Sequence, residues 1–192
     1  MKKIILIGGG GHCKSVIDVI EQEARFEIAG IIDKAEFLGS NVLGYPIIGS
    51  DSDLQNLVQK YDNAIITVGQ IKSALLRIKL YDLAIKLGFS LPSIVSPTAY
   101  VSKYSKIGNG TIVMGNAIVN ANSSIGDNCI INSKALIEHD CLISSHCHIS
   151  TNATINGGVK IGSKCFIGSN VTTKDNIIIN ENSFIKAGSI VK

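Results

Sequence analysis

Two stretches of this sequence carry side chains able to do chemistry. One is Ile137-Glu138-His139-Asp140, a histidine flanked by two acids. A neutral imidazole accepts a proton near neutral pH, and a neighbouring carboxylate fixes its tautomer and stabilises the cation it becomes. His139 with Glu138 and Asp140 is therefore a candidate proton-transfer group. His146 and His148 follow closely, and three histidines in ten residues also suit a metal ion. Alternation and corners send the three in different directions, so a metal site would need ligands from a second subunit. The flanking acids favour proton transfer, and no metal is expected. For each histidine taken alone, the alternative is a solvent-facing surface residue. The other stretch is Gly8-Gly9-Gly10-Gly11-His12 with Asp33 further on. Backbone N–H groups of a glycine loop at a helix start can hold phosphate. An acid at the end of a second strand often meets a ribose hydroxyl in this topology, although a solvated strand-end Asp is the plain alternative. Gly8, Gly10 and Cys13 do not complete G-x-G-x-x-G, so dinucleotide binding is not supported.

The elements that position His139 come from a six-residue repeat. From Val95 to Val191, every sixth residue is Val or Ile except Thr173, which is also β-branched. Four residues after each stands a small or β-branched residue, and three after each usually stands Asn, Asp or Gly, as at Asn116, Asn122, Asn128 and Gly158. The last group tolerates the left-handed backbone of a tight corner. Such a repeat is one of the signatures of a parallel β-helix. Each unit is a short strand whose aliphatic residue and the small residue two before it point inward. Three units close one triangular coil, and the coils stack about 4.8 Å apart. His139 falls on a corner, and His148, just before Ile149, points outward from the middle of a face.

The glycine loop belongs to a different pattern. Lys3 to Ile7 reads as a strand, Lys14 to Glu23 as a helix with Val16, Val19 and Ile20 on one face, and Phe26 to Ile32 as a second strand ending at Asp33. A short extended piece at Tyr45 to Ile48, a helix over Asp51 to Lys60, a strand over Asn63 to Val68 and a helix over Ser73 to Leu87 follow. Pro92 and Pro97 mark the crossing into the repeat. The expectation is a Rossmann-like α/β domain of about four strands over residues 1–92, and an all-β parallel β-helix over 93–192.

Composition fits this division. Net charge is +3, too small and too scattered for nucleic-acid binding, and aromatics make up only 5% with no Trp, as stacked Ile and Val would require. No apolar run approaches the roughly 20 residues of a membrane span, and the start lacks a signal-peptide pattern, so a soluble cytoplasmic protein without membrane association is expected. Of five cysteines, Cys129, Cys141, Cys147 and Cys165 fall on the small inward register and read as reduced core residues; Cys13 reads as a small residue at a helix start.

With these residues in view, the chain resembles the NeuD/PglD-like sugar acyltransferases. The likeness rests on Gly8-Gly9-Gly10-Gly11-His12, on the domain order, and on Asn132-Ser133-Lys134-Ala135-Leu136-Ile137-Glu138-His139-Asp140-Cys141. It implies a left-handed β-helix that uses acetyl-CoA, an N-terminal domain that binds a nucleotide-sugar, and a homotrimer. It also implies roles. His139 would be the general base toward an amine or hydroxyl. Asp140 would orient it, where many relatives have Glu, and Glu138 could share that task. Asn132 would lie beside the acceptor and His148 beside the thioester region of acetyl-CoA. Gly157 and Ala187 would lie close to the pantetheine arm. Gly8, Gly10, Gly11, His12 and Asp33 would hold the nucleotide-sugar. N-acetylation of a nucleotide-linked amino sugar in bacterial glycan biosynthesis is the leading expectation. O-acetylation of a sialic-acid-like sugar is its neighbour, and a trimeric metal hydratase or a non-enzymatic scaffold is more remote.

Overall fold

Residues Lys2–Ile7 form strand β1, whose last four residues are buried. A computed structural model describes all residues from 1 to 192 and divides into two units. The first comprises Met1–Gly69 with Leu75–Pro92, the second Gln70–Ala74 with Ser93–Lys192.

In the first unit β1 lies inside a five-stranded sheet. Phe26–Ile32 (β2) pairs parallel to one side of β1. Beyond it lie the short edge strand Asn41–Val42 (β3) and Tyr45–Gly49 (β4), while Asn63–Ile66 (β5) pairs parallel on the other side; the order is β3-β4-β2-β1-β5. The sequence pattern suggested about four strands. The fifth arises because Leu43 and Gly44, both at positive φ (49° and 87°), make a two-residue turn that folds β3 antiparallel onto β4. Helix α1 (Gly11–Glu23) follows β1 and buries Cys13, Val16, Ile17, Val19 and Ile20, the stripe a 3.6-residue period places on one face.

The helix expected over Asp51 to Lys60 is much shorter, a 3₁₀ turn at Asp51–Asp53 leading into α2 (Leu54–Leu57). Only Leu54 of this segment is fully buried, so no apolar stripe exists to carry the helix further. β5 likewise stops at Ile66, and α3 runs over Leu75–Leu87. The buried Arg77 of α3 donates from Nη1 to the main-chain oxygens of Ile66 (2.6 Å) and Val68 (2.8 Å), which fixes the end of β5. Because β2 and β5 flank β1 on opposite sides, a crevice opens at the carboxyl ends of these strands, and the glycine loop lies there.

The second unit is a left-handed parallel β-helix. Its seventeen two-residue strands run from Ile94–Val95 to Ile190–Val191 and form three parallel sheets of six, six and five strands. Face one contains Ile130–Ile131, His148–Ile149 and Phe166–Ile167; face two contains Leu136–Ile137; face three contains Leu142–Ile143. Partners stand one coil apart, as in Val119 with Ile137 and Ile137 with Ile155. Every sixth residue from Gly110 to Gly188 has positive φ, mostly Asn or Gly, with Lys134, His146 and Lys164 bearing the strain at their corners. Inside, one stack of Val, Ile, Ala and Cys side chains is closed to solvent. Cys129, Cys141, Cys147, Cys165 and Cys13 are buried and form no disulfide. No helix of the chain is long and apolar enough to cross a membrane.

Ile155 is fully buried in that stack while Lys160 points outward. Ile155→Ala should therefore lower unfolding stability by about 2–5 kcal/mol, whereas Lys160→Ala should stay within about 0.5 kcal/mol. Urea denaturation of both variants checks the contrast.

Candidate functional site

Stacking at one coil per eighteen residues decides which side chains meet. His139 stands at the corner between faces two and three, with Asp140 in the left-handed conformation (φ 61°) beside it. His139 Nδ1 lies 2.7 Å from Asp140 Oδ2. One coil earlier, Asn122 donates from Nδ2 to Asp140 Oδ1 at 2.6 Å, and Asn120 donates from Nδ2 to Glu138 Oε2 at 2.9 Å. The two acids are therefore held in different ways. Asp140 is turned onto the imidazole, and Glu138 is turned onto Asn120. The shorter Asp side chain reaches the ring, its Oδ2 being 2.7 Å from Nδ1.

One coil later stands Gly157. A Cβ there would come within 2.9 Å of His139 Cε1 and 3.0 Å of Nε2, so the imidazole packs against a position where a side chain would crowd it. Its main-chain N–H is given to no acceptor within the chain. His139 and Asp140 are exposed, their side chains at 65% and 53%. A solvent-exposed ion pair adds little to stability, so the arrangement is explained by what it does to the ring. The hydrogen bond that His139 Nδ1 donates to Asp140 is the largest influence, and with the charges of Asp140, Glu138 and Asp175 it holds the His139 pKa above its ordinary 6.5, against an opposing effect of desolvation. Asp140 is held below the usual carboxylate range, first by Asn122 and then by His139. With Nδ1 facing the carboxylate, Nε2 is the nitrogen left to exchange a proton.

Asn132 and His148 lie elsewhere on the prism. His148 is on face one and Asn132 on the corner between faces one and two, where Ala187 also stands, exposed, on the last coil. His148 does project from the face, but it is not solvent-facing. The segment Gln70–Ala74 belongs to this unit and leaves the ring 7% exposed. Its Nδ1 faces the main-chain oxygen of Gln70, its Nε2 lies 3.1 Å from Asn132 Nδ2, and the Phe166 ring meets it edge-on at 5.2 Å. The site residues of the β-helix thus fall into two groups on different edges. His139, Asp140, Glu138 and Gly157 share one edge; Asn132, His148 and Ala187 share another region. Asn122, which the sequence pattern marks only as a corner, and Gln70 were not singled out as site residues. Asn122 could have been found by stepping back eighteen residues from Asp140, but Gln70 carries no such signal.

In the α/β unit, the four glycines divide by role. Gly8 (φ 111°) lies against the chain end of β5, where a Cβ would fall 2.5 Å from Val68 Cγ2, so its need is packing. Gly10, the N-cap of α1, and Gly11 face open space. Gly9 donates its N–H to Asp33 Oδ2 at 2.6 Å, while Asp33 Oδ1 accepts from the Lys34 N–H at 2.7 Å. Asp33 therefore fastens the loop to the end of β2. Two clefts of about 430 Å³ each share it. One is lined by Gly8, Ile32, Lys34, Ser50 and Val68, the other by Gly9, Gly10, Lys14, Phe37 and Asn41. His12 lies in the first turn of α1, half-buried, with its Cβ facing Gly69.

No group of three or more His, Cys, Asp or Glu side chains in the chain converges to hold a metal ion. The thiols are all buried away from solvent. Burial pushes Cys13 up to about 11 and raises Cys141, and Cys129, Cys147 and Cys165 are closed to solvent in the core.

The chain thus combines a corner histidine, its Nδ1 against a carboxylate, on a hexapeptide β-helix with an α/β unit that carries a glycine loop. Family comparison agrees. Residues 3–82 match the PglD N-terminal domain, and residues 104–139 and 140–175 match the bacterial transferase hexapeptide repeats. Comparison with curated protein sequences gives no match. Among solved structures, the chain is similar to PerB from Caulobacter crescentus in complex with CoA and GDP-perosamine. Identity is 33% and the TM-score 0.93, over 100% of this chain and 89% of that one. It is also similar to the acetyltransferase domain of PglB from Neisseria gonorrhoeae, at 31% identity and a TM-score of 0.92, over 100% and 92%. That domain has also been solved with acetyl coenzyme A, at 30% identity and a TM-score of 0.91, over 99% and 92%. The chain belongs to the NeuD/PglD-like family of sugar acetyltransferases, enzymes that use acetyl-CoA.

The pKa of His139 provides a direct check on the corner. Asp140→Asn should bring it down toward 6.5, so that the neutral ring is reached at lower pH, and Asn122→Ala should bring it part of the way. NMR titration of the His139 ring in the three proteins measures this; an unchanged midpoint in Asp140→Asn would contradict the assignment.

Proposed function

We propose that this protein transfers the acetyl group of acetyl-CoA directly to the amino group of a nucleotide-linked amino sugar, with His139 as general base. The observation that carries the proposal is the His139 imidazole held between Asp140 and the bare backbone of Gly157. Support comes also from the relatives solved with CoA and GDP-perosamine.

The amine nitrogen attacks the thioester carbonyl carbon, and His139 Nε2 takes a proton from the nitrogen as the C–N bond forms. Asp140 stabilises the resulting imidazolium through Nδ1, and Asn122 keeps Asp140 turned toward the ring. The carbonyl oxygen becomes an oxyanion, for which the Gly157 N–H is a donor of the right kind. Collapse of the tetrahedral species breaks the C–S bond, and the departing thiolate recovers the proton. Holding both substrates in reacting geometry supplies much of the rate.

The two groups of β-helix residues lie on different edges of one prism, so the complete site is read as a junction between copies, with His139 and Gly157 from one and Asn132, His148 and Ala187 from the next. A homotrimer satisfies this with three equal sites. Gly10, Gly11, His12 and Asp33 are assigned to the nucleotide-sugar, since the open helix N-terminus at Gly10 and Gly11 suits a diphosphate. Five buried cysteines and no disulfide fit a reducing, cytoplasmic setting.

Thiol release from acetyl-CoA, measured across nucleotide amino sugars and free nonulosonic acids, tests the proposal. The wild-type protein should turn over a nucleotide amino sugar, and His139→Ala should lose about 10²- to 10⁴-fold in kcat. Turnover confined to hydroxyl acceptors would redirect the assignment to O-acetylation. Because the His139 pKa is raised, the acid limb of kcat/KM should lie above 6.5 and should move down in Asp140→Asn.

A further inference from the structure

We propose that Gln70 is a positioning residue for acyl transfer, acting through His148 on Asn132; the inference rests on the functional reading above. The three form a hydrogen-bonded series within the β-helix unit whose direction is set by main-chain groups at both ends. At one end the main-chain oxygen of Gln70 can only accept, so His148 Nδ1 carries the proton. At the other end the Ser133 N–H can only donate, and it donates to Asn132 Oδ1 at 2.8 Å. The amide group of Asn132 that faces His148 is therefore its NH₂, which donates to Nε2 at 3.1 Å. These two constraints leave His148 as the neutral Nδ1–H tautomer and Asn132 with one amide hydrogen used on the ring.

Phe166, edge-on to the imidazole, fixes the ring plane. Gln70 is itself anchored, since its Nε2 donates to the main-chain oxygens of His146 at 2.8 Å and Cys165 at 3.4 Å, so it spans two coils. It is 2% exposed, and its Oε1 is buried without a partner. An orphaned acceptor is a cost to folding, and an apolar side chain of the same length would avoid it. What glutamine provides instead is a rigid placement of its own carbonyl against His148. The consequence is that Asn132 presents its second amide hydrogen as a donor. The substrate atom it meets is an oxygen, of the acetyl donor or of the acceptor sugar.

The test uses full-length protein labelled with ¹⁵N at histidine. Two-bond ¹⁵N–¹H correlations should show His148 with its proton on Nδ1 and none on Nε2. Gln70→Met keeps the volume and removes the Nε2 donors. It should mix the His148 tautomers and lower kcat/KM about 10- to 100-fold, with the His139 titration unmoved. Asn132→Asp supplies an independent arm, because a carboxylate would face the Nε2 lone pair and activity should be lost; retention of full activity would mean that Nε2 carries the proton and would overturn the proposal. A wild-type His148 protonated at Nε2, or a folded Gln70→Met protein with unaltered tautomer and kinetics, would overturn it as well. A wild-type protein with the Nδ1–H tautomer but no acetyl transfer to any acceptor would count against the functional reading and against Gln70 as a positioning residue for it, while leaving the hydrogen-bonded series intact.

Discussion

Everything in the β-helix half of this protein depends on a corner repeated every six residues. A left-handed residue at each turn of the chain closes three short strands into a coil, and closure puts residue i above residue i+18. The Val and Ile stack is one result, because inward aliphatics then fall on one another and shed water together. The candidate site is the other. Asn122 meets Asp140, and His139 meets Gly157, because each pair is one coil apart. A scaffold this regular positions polar groups at its corners without spending core residues on them.

The same regularity made much of the protein legible in its sequence. The period from Val95 to Val191 specifies strands, corners and inward faces, since each six-residue unit repeats the same alternation. His139 and Asp140 were visible because a titratable pair falls at a corner, where the repeat mostly has Asn and Gly. Asp140 stands where many relatives have Glu, and in the structure its Oδ2 lies 2.7 Å from His139 Nδ1. His148 shows where pattern reading stops. Its place on the strand says that it points outward, and it does, but the segment that covers it comes from residue 70, far away in the chain. No local period encodes a contact of that span.

In the α/β unit, composition was a coarser guide. Four consecutive glycines read as one phosphate loop, yet the structure gives them different work: Gly8 yields to the backbone of the neighbouring strand, Gly9 is tied to Asp33, and Gly10 and Gly11 border open space. Asp33 had two readings, a ribose contact or a solvated strand end. In the structure it braces the loop and borders both clefts. The helix expected over Asp51 to Lys60 shrank to Leu54–Leu57 for want of a buried stripe. Helix propensity without tertiary burial is a weak instruction.

The central claim is that a complete acyl-transfer site joins His139 of one copy to Asn132 and His148 of the next. Mixing two inactive variants tests it most directly. His139→Ala and Asn132→Ala proteins, each silent alone, would be unfolded and refolded together and assayed for thiol release from acetyl-CoA. If the site is shared, mixed trimers contain junctions in which both edges are intact, and activity should return to about a quarter of the wild-type value. If the two edges instead serve one site within a single chain, no mixture contains an intact site, and the co-refolded sample would stay as inactive as its parts.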